Sequence, residues 1–156
     1  MSDGVLDGAP GKMRGMRTLL LGSLALVAAA LIVAGPAAGA SNKTITVKMT
    51  GKQETPKGDP DGSGTAKITL EPSAGKVCFK LTWSHIGAPQ ASHIHKGARG
   101  KAGNVVVVFF GTPPAKHSAC VKASKSLIKA IIKSPGAYYV NVHTKAFPGG
   151  AIRGQL

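Results

Sequence analysis

Three stretches of this chain alternate apolar and polar side chains with a period of two, and that rhythm constrains the fold more than any other feature. Ile45, Val47 and Met49 alternate with polar neighbours, as do Ala66, Ile68 and Leu70. Val77, Phe79, Leu81 and Trp83 alternate with Lys76, Cys78, Lys80 and Thr82. Successive strand residues point to opposite faces, so each run predicts a half-buried strand of antiparallel type. Residues 51–64 are rich in Gly, Pro, Asp and Lys and read as a loop. Glu71-Pro72-Ser73-Ala74-Gly75 reads as a tight connection between the second and third strands. On the third strand Cys78 takes the face opposite Val77 and Phe79.

The second half varies the pattern. Val105 to Phe110 is continuously apolar, as in a strand buried on both sides, and Gly111-Thr112-Pro113-Pro114 stops it. Cys120 and Val121 begin a short further strand. Leu127, Ile128, Ile131 and Ile132 recur at helical spacing, with Ser124 or Ser126 as N-cap and Pro135-Gly136 as the stop. Ala137 to Thr144 reads as a strand, Phe147-Pro148-Gly149-Gly150 as a turn, and Ala151 to Leu156 as a last strand paired back as a hairpin. Many short strands and one short helix predict an all-β domain, a two-sheet sandwich or a small barrel.

Residues 1–40 have a different character. Lys12, Arg14 and Arg17 form a positive stretch, Leu19 to Ala34 is apolar apart from Gly22 and Ser23, and Ala38-Gly39-Ala40 offers the small residues a signal peptidase reads. This predicts a signal peptide over residues 1–40, cut before Ser41, with Met13 or Met16 as alternative starts to Met1. The rival reading is an uncleaved anchor. A spanning helix needs about 20 mostly apolar residues, and here about 16 precede Gly35-Pro36. On either reading residues 41–156 form one domain that is secreted or held at the cell surface.

Cys78 and Cys120 are the two cysteines of the chain. In an oxidising compartment they predict a disulfide. Its 42-residue loop is worth about 4 kcal/mol on the chain-entropy account. The alternative is a pair of unpaired core thiols. Two cysteines without a CxxC are too few for a Cys-only metal site. Between residues 41 and 156, 17 basic side chains face the four acids Glu54, Asp59, Asp61 and Glu71, a net charge of about +13. Such a surface attracts anionic cell-surface polymers. Export and the scarcity of aromatic residues argue against nucleic acid. The lysines are dispersed, which is also the pattern of a well-solvated surface.

Five histidines are present: His85, His93, His95, His117 and His143. His93 and His95, two apart on a strand, share one face. His143 shares a face with Tyr139 and Asn141. If the two strands are neighbours, three imidazoles converge, and neutral imidazole suits copper or zinc. The alternative is that His93, His95, His143 and Arg153 knit strands and loops by hydrogen bonds, with Tyr139 and Asn141 as structural or binding neighbours. No G-x-S-x-G occurs, three of the four acids sit in one loop, and Gly97, Gly100 and Gly103 lie between strands rather than ahead of a helix. No catalytic residue is assigned.

Several of these segments together resemble one family. Ala91-Ser92-His93-Ile94-His95-Lys96-Gly97, Gly103-Asn104-Val105-Val106-Val107, Tyr138-Tyr139-Val140-Asn141-Val142-His143-Thr144 and the closing Phe147-Pro148-Gly149-Gly150-Ala151-Ile152-Arg153-Gly154-Gln155-Leu156 are similar to the CHRD domain. That repeat was first named from chordin and is also found singly in exported bacterial proteins. The resemblance runs from about Lys43 to Leu156 and takes in Gly51-Lys52-Gln53-Glu54 and the strand holding Cys78. The chain has Ala151 where the family often carries an acid. The resemblance implies no settled activity; together with the charge it leads to a non-enzymatic extracellular or cell-surface binding module of undefined partner, an unknown protein or an anionic cell-surface polymer. A looser likeness links His-x-His on a sandwich strand to the copper site of Cu,Zn superoxide dismutase, without that enzyme's remaining ligands. The expectations are therefore an antiparallel Greek-key β-sandwich, superoxide-dismutase-like or immunoglobulin-like, with one short α-helix. Its function is a binding module or, alternatively, a copper- or zinc-binding protein or redox enzyme.

Overall fold

The computed structural model describes residues 41–111 and 115–156. The predicted signal peptide, its cleavage site and the alternative starts lie outside the described residues. The elements are β1 (Lys43–Thr50), β2 (Ser63–Glu71), β3 (Lys76–Ser84), β4 (Pro89–Lys96), β5 (Asn104–Phe110), β6 (Ser118–Lys122), α1 (Lys125–Lys133), β7 (Tyr138–Thr144) and β8 (Ile152–Gln155).

The strands pair antiparallel in the order β5-β4-β7-β8-β1-β2-β3-β6. β4 lies beside β7 and β3 beside β6, so neighbours in space are distant in sequence, as a Greek key requires. One paired position, Thr50 with Arg153, joins β8 to β1. The sheet thus divides into two four-stranded halves, and β5 and β6 approach each other to nearly close it. This is the predicted all-β antiparallel sandwich, close to a barrel, with one α-helix among the described residues.

The alternating residues fill the space between the halves. Met49, Ala66, Ile68, Leu70, Val77, Phe79 and Leu81 come from one half, and Ile94, Val107, Phe109, Val140, Val142 and Ile152 from the other. Phe79 stacks on Phe109 across the core with centroids 4.3 Å apart. α1 adds the buried Ile128 and Ile131, and its N-terminus is capped by Ser124 Oγ, which accepts from the Leu127 N–H at 3.2 Å. Cys78 and Cys120 are bonded, on directly paired positions of β3 and β6.

One expectation is corrected. The apolar run Val105–Phe110 is not buried on both sides. It forms β5, whose one ladder partner is β4, and it leaves Val105 44% and Val108 52% exposed. Val107 and Phe109 reach the core, so a continuous apolar run here marks an edge strand with one wet face. The strand buried on both faces is β7, where every residue except His143 is buried. Its second face is roofed by loops rather than by a sheet, and polar residues occupy it.

Candidate metal centre

β7 lies between β4 and β8, and the register fixes what meets on its outer face. His95 stands opposite Tyr139, His93 opposite Asn141 and Ala91 opposite His143. On the other side Arg153 stands opposite Asn141. Period-two alternation sends Ile94, Val140 and Ile152 inward, so these polar residues must share the opposite face. The three histidines singled out from the sequence are thereby brought together, each offering one nitrogen within 4.8 Å of the others. His85 and His117 lie apart. His117 stacks on Trp83 at 4.1 Å, with its Nδ1 3.3 Å from the Leu81 carbonyl.

Hydrogen bonds set the tautomers. His143 Nδ1 lies 2.9 Å from the Pro148 carbonyl, which only accepts, so Nδ1 carries the proton and Nε2 presents a lone pair. His93 Nδ1 donates to that Nε2 at 3.2 Å. His95 Nδ1 lies 2.8 Å from the Gly103 carbonyl and its Nε2 3.1 Å from Asn141 Oδ1, two acceptors of which a neutral ring can donate to one at a time. A ring nitrogen held by a backbone carbonyl while the other points into a cluster is the usual outer support of a metal-ligating histidine.

Electrostatics favours the neutral rings. Burial pushes the His93 pKa from 6.5 down to about 4, helped by the nearby His143 and His95. His143 is also lowered, first by burial, against the Pro148 carbonyl that favours its charged form. Two rings held neutral near pH 7 are ready to coordinate a cation. Beside them a surface pocket of about 420 Å³, lined by Gln90, His93, His143, Thr144, Lys145 and Pro148, opens the cluster to solvent.

The residues behind the rings are locked. Tyr139 stacks on His95 with centroids 4.7 Å apart and planes 6° from parallel. The Arg153 guanidinium lies 3.3 Å from the Tyr139 ring centroid, a cation–π contact. Its Nη1 donates to the Lys101 carbonyl at 2.9 Å and its Nη2 to Ala98 at 2.8 Å, so the 97–103 loop is fastened over the face. Gln155 Nε2 adds donations to the carbonyls of Gly97, Gly136 and Tyr138. The closing Arg-Gly-Gln therefore builds the floor and wall of the cluster.

Sequence reasoning missed Glu54, which it left in the 51–64 loop. Glu54 is 5% exposed. Its carboxyl lies against Gly150, at φ +139°, where a Cβ would overlap Glu54 Oε1. Burial raises its pKa from 4.5 to about 7, against the lowering effects of Arg153, Asn141 and the Thr55 backbone. Among the described residues its buried Oε1 has no hydrogen-bond partner. Asn141 thus connects Glu54 to His95. Alternation carries no information in a loop, and the one available signal was the family likeness of Gly51-Lys52-Gln53-Glu54. Glu54 puts a carboxyl against Gly150, the residue before Ala151.

No curated protein and no solved structure gives a significant match to the chain. The family comparison does match: the CHRD domain covers residues 45–156, from the third residue of β1 to Leu156. The segments that build the histidine face and its supports all lie inside that span, and the chain belongs to the CHRD-domain family.

Proposed function

We propose that this protein is an exported, non-enzymatic CHRD binding module whose ligand is a single copper or zinc ion held by His93, His95 and His143. The observation that carries the reading is the convergence of three ring nitrogens within 4.8 Å, two of the rings oriented by backbone carbonyls. A zinc–nitrogen bond of about 2.0 Å places tetrahedral ligands about 3.3 Å apart. The His93–His143 pair, at 3.2 Å, is already at that spacing. The third nitrogen, within 4.8 Å of the others, comes to that spacing with a ring movement of about 1.5 Å. To hold an ion, His93 would give up its Nδ1 hydrogen bond to His143 and carry its proton on Nε2, and His95 Nε2 would turn from Asn141 Oδ1. Export is supported by the leader-like N-terminus and by the Cys78–Cys120 bond, which is stable in an oxidising compartment.

The test is metal analysis of protein purified without a histidine tag. After loading with Cu(II) or Zn(II) and desalting, about one ion per chain is expected, with a raised melting temperature. His95→Ala combined with His143→Ala is expected to lose both. Equal metal content in the wild type and this double variant, or an unchanged melting temperature on loading, would overturn the proposal.

A further inference from the structure

The outer face of the β1-β2-β3-β6 half is chemically uniform. Alternation places Thr44, Thr46 and Lys48 of β1 on it, Thr65, Lys67 and Thr69 of β2, Lys76, Cys78, Lys80 and Thr82 of β3, and Ser118, Cys120 and Lys122 of β6. All are exposed except Thr69 and Cys78, which are half-buried. Not one of these side chains is aliphatic or aromatic.

The register makes the charge costly to the fold. Lys67 stands directly opposite Lys80, and Lys76 directly opposite Lys122. Like charges on directly paired positions destabilise a sheet. Glu71, opposite Lys76, is the single acid in these four strands. The hydroxyls, by contrast, pair across strands: Thr44 with Thr69 at 3.1 Å and Thr65 with Thr82 at 2.6 Å. Two repelling lysine pairs therefore flank the rigid Cys78–Cys120 bridge on a flat hydroxyl surface.

We propose that this face is a docking surface for an acidic polysaccharide. Charge complementarity requires a polyanion, and the repeat of lysines across strands requires one with regularly spaced charges. Hydroxyl rows suit a ligand that itself carries hydroxyls. The face has no apolar side chain to enter a bilayer and no ring on which a base stacks. The inference stands apart from the metal site, which lies on the other half of the sheet.

The test uses the purified full chain on immobilised polygalacturonate, with neutral dextran and phosphatidylglycerol vesicles as comparisons. Retention on polygalacturonate alone, weakening as salt rises, is expected. Lys67→Thr with Lys80→Thr is expected to bind about tenfold more weakly. Lys129→Gln with Lys133→Gln, the same charge change on the exposed side of α1, is expected to bind like the wild type. The melting temperature of the face variant is expected to match or exceed the wild type, since a repulsion has been removed. Should it fail to fold, Lys76→Thr with Lys122→Thr reads the same surface. Equal losses in face and helix variants, no retention on polygalacturonate, or vesicle binding as strong as polysaccharide binding would each overturn the proposal.

Discussion

Glu54 and His93 titrate in opposite senses, and the difference gives stability a readable pH dependence. An unfolded carboxyl titrates near 4.5, whereas that of Glu54 is raised to about 7 by burial, so the folded state keeps a proton that the unfolded chain releases. The stabilisation from Glu54 is therefore full below pH 4.5 and lost as pH rises through 7. His93 is lowered from 6.5 to about 4, so its contribution is full above pH 6.5 and lost as pH falls through 4. Glu54→Gln keeps the shape of the protonated acid. Its melting temperature relative to wild type is expected to climb between pH 5 and pH 8, read from thermal melts of metal-free protein. A difference that stays constant over that interval would mean Glu54 holds no extra proton. The histidines were legible in the sequence because strand spacing alone puts His93 and His95 on one face. Glu54 was not, because its burial depends on where a glycine-rich loop folds back.

Among the elements, the loop joining β4 to β5 shows how tightly the cluster depends on backbone. A Cβ on Gly103 would overlap the Lys96 carbonyl, so only glycine allows the two chain segments to close. The Gly103 carbonyl also lies 2.8 Å from His95 Nδ1, and its N–H donates to the Tyr139 hydroxyl at 3.3 Å. Gly103→Ala is expected to destabilise the domain by about 1–3 kcal/mol. It is also expected to weaken metal binding by about 10–100-fold, by disturbing the support of His95. Urea denaturation and metal titration read the two effects. Gly87→Ala, with open space around the new methyl, is the neutral comparison. The alternation in β1, β2 and β3 was legible because one face of each strand meets water. β5 reversed the expectation, and β7, read only as a strand, turned out to be the one covered on both faces. Hydrophobicity shows what a side chain tolerates, not what covers it: Val105 and Val108 are left wet at an edge, while Asn141 and Tyr139 are covered by loops.

For the molecule as a whole, β6 is the weak margin: five residues, with β3 as its ladder neighbour. The Cys78–Cys120 bond ties it to β3 and closes a loop of 42 residues that contains β4 and β5. Both cysteines lie on the outer face, so replacing them opens no cavity among Val77, Phe79 and the rest of the core. The effect then falls chiefly on the unfolded chain, which gains the freedom the bridge removes. Cys78→Ser with Cys120→Ser is expected to lose about 4 kcal/mol of stability. Its urea slope is expected to steepen, because a chain without the bridge exposes more surface on unfolding. Reduction of the wild-type bond under native conditions is expected to give the same loss, as it would in a reducing cytoplasm. A loss near zero, with an unchanged slope, would mean that the β3–β6 ladder and α1 hold this margin by themselves, and the cystine would then no longer support a role outside the cell.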